Sequence, residues 1–362
     1  MTVGVNYNKR ETEDGMEEGE IRSTKKTEGE DRRCYMKKFV LAIMMVILIS
    51  LPAYGDQEAQ EILKAVVKIK AVIPEEAQTA KTLGTEREGH GVVIDSKGHI
   101  LTIGYLIIEA ESIEVTGHEG KPINAVFIGY DHATGFGILK TEKPFDVKPI
   151  KIGQSSKVKE GEPVLVAGHG GQEAVQAVQV ISRKEFAGYW EYLLEDPLFT
   201  APAYTNFGGA ALIDRNGQLV GIGSLLSQFV IQGLGTLPCN VFVPIDLLPP
   251  ILDDMITKGR PQKPPRPWLG INSEEAQNRV FVIRVTPGSP AEKAGIKIGD
   301  LILAVKGEAV KGLLGFYRKV WAIGNAGVEV PLTVLQGVQI REIKIRSADR
   351  HQFLMLKPKK IL

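Results

Sequence analysis

The sequence predicts a mainly β protein with two folded domains. Between about Glu61 and Val243, short apolar runs are separated by turn residues and helical periodicity is almost absent, which is typical of an all-β barrel or sandwich. From Trp268 to Asp349, strand-like and helix-like segments are mixed, which favours an α+β domain. With 362 residues and 43% hydrophobic content, the chain is long enough to form two hydrophobic cores.

The strands of the first domain are predicted from these apolar runs. Residues 92–94 and 99–102 flank an Asp-Ser-Lys-Gly turn, which indicates a β-hairpin. A second turn, at 215–217, joins two further runs. The other strands of this domain are expected at 65–71, 113–115, 125–128, 137–140, 163–167, 174–181, 211–213 and 219–222.

A predicted helix and a proline-rich segment separate the two domains. The helix covers 245–258, with Pro249 and Pro250 near its start, and the prolines that follow favour an extended linker. We expect strands in the second domain at 280–285, 301–305, 330–335 and 341–346, and helices at 290–294 and 313–323. The resulting boundaries are 58–250 for the first domain, 251–266 for the helix end and linker, 267–348 for the second domain and 349–362 for a basic tail.

The N-terminal region divides into a charged segment and an apolar one. Residues 1–35 are charged and poor in large apolar side chains, so we expect them to be disordered or to precede the true translation start. Residues 36–55 combine lysines, an apolar run and small residues near Gly55, which is typical of a signal peptide cleaved near Gly55. The alternative is a membrane anchor at 39–53, although the run is shorter than the ~20 residues of a spanning helix.

Charge and cysteine content restrict the partners and the compartment. The formal net charge of +1 gives no electrostatic argument for a nucleic acid or an anionic membrane surface. Cleavage near Gly55 would remove Cys34 and leave Cys239, so we expect no intrachain disulfide. An exported protein without disulfides is compatible with a periplasmic or secreted location.

Several motifs resemble the HtrA/DegP family, over nearly all of residues 61–348. Residues 89–102 are similar to the family's Gly-Ser-Gly hairpin that leads to the catalytic histidine, and 129–140 to its segment with the orienting aspartate. Within 286–307, the order Ser-Pro-Ala, Ala-Gly-Ile and Gly-Asp-Leu-Ile is close to the signature of the family's PDZ domain. The resemblance implies a trypsin-like double β-barrel followed by an α+β PDZ domain.

The same resemblance implies that the catalytic triad is missing. Serine proteolysis needs a hydroxyl nucleophile, an imidazole base, a carboxylate and N–H donors for the oxyanion. The matched positions hold Tyr105 for the histidine, Gly135 for the aspartate and Gly208 for the serine, and a shift of one residue would place Phe207 at the serine. We therefore expect a catalytically inactive member, a pseudoprotease. The former oxyanion loop, Asn206 to Gly208, keeps a glycine that permits a tight turn, and we expect the Phe207 ring to plug the old cleft.

The PDZ resemblance implies a peptide-binding site. In such a domain, an extended peptide adds as a strand to a sheet edge, and loop N–H groups bind its terminal carboxylate. The expected partners are peptides or C-termini of other proteins, with an active HtrA relative as a further partner and a homo-oligomer as an expected state. The site residues expected by resemblance are Trp268, Leu269, Gly270, Ile271, Phe316 and Val320.

The predicted function is binding of polypeptide termini or unfolded segments, as a scaffold, holdase or regulator. One alternative is an active serine endopeptidase with displaced residues such as Ser224 and His132, with Asp131 more readily explained as a turn residue. Another is a metal-binding module on an inactive barrel, but the histidine spacings match no ligand motif, so we expect no metal and no cofactor. The histidines concerned are His90, His99, His118, His132 and His169.

Overall fold

The computed structural model describes residues 56–231, 233 and 235–356. The predicted charged segment 1–35, the predicted signal peptide 36–55 and the last residues of the predicted tail, 357–362, lie outside the described residues. Within the described part of the chain, no helix is long and apolar enough to cross a membrane.

Strands dominate the described chain. The helices are α1 (Asp56–Lys64), α2 (Ala80–Leu83), α3 (Pro249–Lys258), α4 (Pro290–Lys293), α5 (Gly312–Ala322) and α6 (Arg350–Phe353). The strands of the first domain are β1 (Val66–Val72), β2 (Glu86–Val93), β3 (His99–Ile103), β4 (Ser112–Thr116), β5 (Pro122–Tyr130), β6 (Phe136–Thr141), β7 (Pro163–Ala167), β8 (Val175–Ser182), β9 (Phe186–Gly188), β10 (Tyr192–Leu194), β11 (Leu198–Ala201), β12 (Ala211–Ile213), β13 (Leu219–Ile231) and β14 (Gly235–Pro244). Those of the second domain are β15 (Ile271–Ala276), β16 (Arg279–Val285), β17 (Leu301–Val305), β18 (Glu308–Ala309), β19 (Glu329–Gln336) and β20 (Gln339–Arg346).

The first domain consists of two closed antiparallel barrels, as the resemblance predicts. The strand order is β1-β2-β3-β6-β5-β4 in the first barrel and β11-β14-β13-β12-β7-β8 in the second. In β1 the residues Ile69 and Ala71 are buried while Lys70 is exposed, which is the alternation of a barrel strand. Apolar residues of both barrels belong to one continuous core, so the two barrels pack directly against each other.

The β9–β10 hairpin pairs outside both barrels. Its strands form a separate two-stranded sheet, with Phe186 opposite Leu194 and Gly188 opposite Tyr192. The sequence analysis predicted neither this hairpin nor β14, and it ended β13 at residue 222, whereas β13 continues to Ile231. Strand β11 was not predicted either. The hairpin strands and β11 are only three or four residues long, and the outer halves of β13 and β14 are not fully buried. The apolar pattern that marks a barrel strand is therefore short or weak in these segments.

The second domain is a six-stranded sheet with two helices. Its main path is β15-β16-β17-β19-β20, with β18 paired to β17. Helix α4 begins with Ser289 as N-cap, since the Ser289 hydroxyl accepts a hydrogen bond from the Glu292 N–H. Helix α5 supplies the buried side chains of Phe316, Tyr317 and Val320 to the core. The observed architecture is therefore the α+β domain that the sequence predicts.

The chain returns to the first domain after the second. Helix α6 follows β20, and Leu354 is buried in the core of the barrels. The N–H of Met355 donates to the Glu109 carboxylate at 2.9 Å. In its described part, the segment predicted as a basic tail is thus packed against the barrels and helps to hold the two domains together.

Candidate functional site

The residues at the expected histidine and serine positions face each other. Tyr105 lies in a 3₁₀ turn after β3, and Gly208 lies in the loop between β11 and β12. A Cβ atom built on Gly208 would lie 2.9 Å from the Tyr105 hydroxyl oxygen. The Tyr105 turn is fixed by Arg87, whose guanidinium donates to the carbonyl oxygens of Tyr105 and Ile108 at 2.7 and 3.2 Å. The Tyr105 hydroxyl would therefore contact the first atom of any side chain at position 208.

The expected aspartate position lies beside the same turn. The N–H of Gly104 donates to the Gly135 carbonyl at 2.7 Å, and Gly135 has a φ of +82°. A Cβ at this position would lie 3.2 Å from the Tyr192 hydroxyl oxygen, which donates to the Thr134 carbonyl at 2.6 Å. A carboxylate at position 135 would therefore need a strained backbone and would crowd Tyr192. Positions 105, 135 and 208 are thus brought together, but the Tyr192 side chain occupies the space beside position 135.

Tyr105 is poorly suited to act as a base. Burial raises the pKa of the Tyr105 hydroxyl well above its ordinary value, because the phenolate would be desolvated. At neutral pH the side chain is a neutral phenol. It can fill space and exchange hydrogen bonds, but it does not replace an imidazole that accepts a proton near pH 7.

Ser224 and His132 do not form a catalytic pair. Ser224 is 3% exposed and lines the cleft. The described hydrogen bonds of the His132 ring join it to the Tyr130 hydroxyl, the Arg350 guanidinium and the Glu191 carbonyl, and none reaches Ser224. Burial and then the charge of Arg350 lower the pKa of His132 well below its ordinary value, so this ring is a neutral packing group.

Asp131, His90 and His99 make structural contacts, and His118 is exposed. The Asp131 carboxylate accepts hydrogen bonds from the N–H groups of Ala133 and Thr134, as expected for a turn residue. His99 pairs with Asp95 at 2.6 Å, and the His90 ring accepts from the N–H of His169 at 3.1 Å. Burial, with smaller contributions from His169 and Lys68, lowers the pKa of His90 to about 4. Among the described residues, histidine, cysteine, aspartate and glutamate side chains form no group of three that could hold a metal ion.

The former oxyanion loop is tied to the first barrel. The Gly208 carbonyl accepts a hydrogen bond from the His90 N–H at 2.8 Å, and the Phe207 carbonyl accepts from Ala210 at 3.0 Å. Asn206 is exposed and Phe207 is half-buried. Phe207 is one of the residues that line a cleft of about 1370 Å³ between the barrels and the second domain. That its ring plugs the former substrate cleft stays a prediction.

The predicted carboxylate-binding loop holds a carboxylate of the chain itself. The N–H groups of Gly270 and Ile271 donate to Oε1 of Glu191 at 2.7 and 2.9 Å, and that of Leu269 donates to Oε2 at 2.9 Å. Glu191 is 5% exposed and lies in the turn between β9 and β10. Gly270 has a φ of +84°, and a Cβ there would lie 2.2 Å from the Cβ of Ser289, so the loop requires glycine at this position.

Burial has the largest effect on the pKa of the Glu191 carboxyl group. Desolvation raises the pKa of Glu191, while the three amides and the charge of Arg350 act in the opposite direction. The sequence analysis missed Glu191, because an acidic residue in a short loop has no distinguishing motif. It nevertheless joins the two domains at the predicted binding site.

The other predicted binding residues lie around this loop. Trp268 pairs with Ala348 through the backbone and packs on Phe353, with 4.6 Å between ring centroids. Phe316 and Val320 are 1% and 2% exposed, in the core of the second domain. Leu193 of β10 belongs to the same apolar cluster. Leu193, a side chain of the first domain, is thus buried in the core of the second domain. The same core contains Phe316 and Val320, which the sequence analysis predicted to bind peptide.

Comparison with known protein families identifies both domains. A trypsin-like peptidase domain matches residues 89–222, and a PDZ domain matches residues 267–346. The chain is therefore of the class that joins a trypsin-like peptidase domain to a C-terminal PDZ domain.

The relatives narrow this class to a family. The chain is 28% identical over 278 residues to a probable periplasmic serine protease do/HhoA-like from Haemophilus influenzae, covering 71% of this chain and 57% of the relative. It is 27% identical over 275 residues to the periplasmic pH-dependent serine endoprotease DegQ of Escherichia coli, covering 71% of this chain and 58% of the relative. These relatives and the two domains support assignment of the chain to the HtrA-type proteases.

A solved structure shows the same fold. The HtrA-type protease AlgWS227A with tripeptide superimposes with a TM-score of 0.50 at 20% identity, covering 85% of this chain and 99% of the other. The chain spans a little over half the length of the two curated relatives named above. The comparisons therefore show a shared fold, and they do not extend the activity of the whole relatives to this chain.

The contact between positions 105 and 208 can be tested through stability. Gly208→Ala is expected to lower the free energy of unfolding by about 1 kcal/mol or more, because its Cβ presses on the Tyr105 hydroxyl. Tyr105→Phe removes that hydroxyl, so adding Gly208→Ala to Tyr105→Phe should cost less than adding it to the native chain. Urea denaturation of residues 56–362 measures all four proteins.

A glycine elsewhere provides the control. Gly315 lies in α5, and no atom lies within 4 Å of a Cβ built there. Gly315→Ala should therefore be neutral or stabilising by about 0.5–1 kcal/mol, and it should be additive with Tyr105→Phe. Equal costs of Gly208→Ala with and without the tyrosine hydroxyl would contradict the described contact.

Proposed function

We propose that the protein is an exported HtrA-type pseudoprotease that binds polypeptide C-termini or unfolded segments through its PDZ domain. The observation that carries the proposal is the combination of two sites. At one, a neutral phenol and two glycines stand where a triad would be needed. At the other, three converging N–H groups already hold a carboxylate.

Loss of proteolysis follows from the groups at the triad positions. Gly208 and Gly135 have no side chain, so they provide neither a nucleophile nor an orienting carboxylate. The Tyr105 hydroxyl keeps its proton, since burial raises its pKa. A cleft lined by both domains remains, and it can hold a polypeptide without cutting it.

Peptide binding is supported by the contacts within the groove. Three N–H groups directed at one carboxylate are the donor set that a terminal carboxylate requires. The Ser273 N–H in β15 donates to the Tyr189 carbonyl at 2.8 Å, so this sheet edge can accept the backbone of an added segment. Both contacts are made here by the protein's own chain, and a bound peptide would make the same contacts in its place.

The cellular role that fits this chemistry is a scaffold, a holdase or a regulator of an active relative. Relatives named as periplasmic proteases support export to the periplasm, with signal cleavage near Gly55. A homo-oligomer is part of the same proposal. Each of these roles needs binding without hydrolysis, which the two sites together provide.

The absence of proteolysis is the first prediction of this proposal. Residues 56–362, incubated with unfolded casein at neutral pH, should leave casein intact, and a fluorophosphonate probe should not label the protein. Trypsin serves as the positive control for both measurements. Cleavage that the probe abolishes would contradict the proposal, and loss of that cleavage in Ser224→Ala would identify the displaced nucleophile.

The second prediction of this proposal is that peptide binding depends on a free C-terminal carboxylate. Fluorescein-labelled decapeptides with a free C-terminal carboxylate should bind roughly tenfold or more tightly than the same peptides amidated, because the amide lacks the charge that the three N–H groups stabilise. Fluorescence anisotropy measures the dissociation constants.

Two glycine variants make this test specific. Gly270→Val should abolish binding, since its side chain meets Ser289 and its backbone conformation favours glycine. Gly337→Asn, at the β19–β20 turn with a φ of +62° and no atom within 4 Å of a Cβ, should leave binding unchanged. Equal affinity for acid and amide, or unchanged binding by Gly270→Val, would contradict the proposal.

A further inference from the structure

The β9–β10 hairpin, residues 186–194, lies against the PDZ domain in the manner of a ligand. We call this segment the docked hairpin. Its strands pair with each other and not with any barrel strand. Tyr192 and Leu194 are buried in the barrel core, so the hairpin contacts both domains. Helix α5 of the PDZ domain packs against both of its strands. A segment of the first domain thereby covers the groove in which an external peptide would bind.

The carboxylate of Glu191 occupies the loop completely. Three consecutive N–H groups, of Leu269, Gly270 and Ile271, donate to its two oxygens over 2.7 to 2.9 Å. No N–H of this trio is left for a second carboxylate. A peptide terminus can enter the loop only when Glu191 leaves it, so the two carboxylates exclude each other.

The backbone of the docked hairpin uses the PDZ domain as well. The Tyr189 carbonyl accepts a hydrogen bond from the Ser273 N–H of β15. The Tyr317 hydroxyl, on α5, donates to the Gly188 carbonyl at 2.8 Å and accepts from the Glu191 N–H at 3.2 Å. The hairpin is therefore held from both sides of the groove, by β15 and by α5, which are the two elements between which a peptide lies in a PDZ domain.

Apolar and ionic contacts complete the docking. Leu193 is 7% exposed and belongs to the PDZ core cluster, with Ala187 packed against the same cluster. Glu185, just before the hairpin, forms an ion pair with Arg318 of α5. This pair is partly exposed, so its contribution to stability is small. The carboxylate loop and the apolar side chain are the main attachments.

Glu191 adopts an unusual backbone conformation to make its contacts. Its φ is +59°, in the left-handed region that a residue with a side chain rarely adopts. The preceding and following residues, Trp190 and Tyr192, stack on each other with ring centroids 5.4 Å apart. The conformation turns the Glu191 carboxylate towards the loop, and the three hydrogen bonds offset its cost.

We infer that the docked hairpin is an internal ligand, with Glu191 in place of a peptide terminus, that competes with external C-termini for the PDZ groove. The inference rests on the proposed function for the identity of the competitor. The apparent dissociation constant for a peptide then equals the intrinsic constant divided by the fraction of molecules whose hairpin is released. Binding of a peptide would at the same time free the hairpin from the groove.

Release of the hairpin would also change the cleft of the first domain. The Tyr192 hydroxyl, at the end of the hairpin, bonds to Thr134 and lies next to Gly135. The Trp190 carbonyl accepts from Arg350, which also contacts His132. Occupation of the PDZ groove and the shape of the cleft near the former triad are therefore connected through five consecutive residues, 188–192.

The docking itself is tested by hydrogen exchange, without any peptide. In residues 56–362, amides in the proteolytic fragment spanning 269–271 should exchange slowly. Glu191→Gln puts an amide NH₂ against at least one of the loop N–H groups, so their exchange should become about tenfold faster or more. Glu185→Gln, which breaks the neighbouring ion pair and leaves the loop contacts intact, is the matched control and should not change it.

Competition is tested by peptide binding to the same proteins. Fluorescein-labelled decapeptides ending in Val, Leu or Phe with a free carboxylate should bind Glu191→Gln roughly tenfold more tightly than the native chain. Glu191→Ala, which removes the carboxylate without adding a donor, should behave alike, and Glu185→Gln should match the native chain.

The outcomes separate the inference from the proposed function. Unchanged exchange at 269–271 in both Glu191 variants would overturn the internal ligand. Equal peptide affinity for the native chain and both Glu191 variants would overturn competition, while carboxylate-dependent binding would still support the proposed function. Failure of every protein to bind any peptide would defeat the proposed function, and it would also overturn the role of the hairpin as a competitor.

Discussion

The contact between the Glu191 carboxylate and three backbone N–H groups fixes the first domain to the binding loop of the second. The β9–β10 hairpin that carries it has Leu193 in the PDZ core and Tyr192 in the barrel core, beside Gly135. The large cleft is lined by both domains as a result. Packing of Leu354 into the barrel core closes the arrangement from the other end of the chain. A carboxylate removed from water is stabilised only when its oxygens are hydrogen-bonded. The three N–H groups therefore fix the position of the Glu191 carboxylate as well as strengthening the contact between the domains.

The first domain preserves the architecture of a protease while its chemical groups differ. Positions 105, 135 and 208 converge, held by the Gly104–Gly135 and His90–Gly208 backbone hydrogen bonds. Packing has adapted to the new residues, because the hydroxyl groups of Tyr105 and Tyr192 fill the space beside the two glycines. A side chain at position 208 would meet the Tyr105 hydroxyl and one at position 135 would crowd Tyr192, so the inactive arrangement proposed here depends on several side chains together.

Much of the fold follows from local sequence patterns, and the inter-domain contact does not. Apolar runs with turn residues between them predict the barrel strands, and the motif within 286–307 predicts the PDZ domain. Glu191 lies 78 to 80 residues from the amides it binds, and no periodicity or motif connects the two segments. Similarly, the spacing of Phe316 and Val320 on one helix face fits a domain core as well as a peptide pocket, and the packed structure places both in the core that also takes up Leu193.

The central claim is that one loop serves both domain closure and polypeptide binding. A crystal structure of residues 56–362 with a saturating C-terminal peptide tests it most directly. The account predicts the peptide carboxylate within hydrogen-bond distance of the N–H groups of Leu269, Gly270 and Ile271, with Glu191 withdrawn from the loop. A bound peptide located elsewhere, with the Glu191 carboxylate still on these three N–H groups, would contradict it.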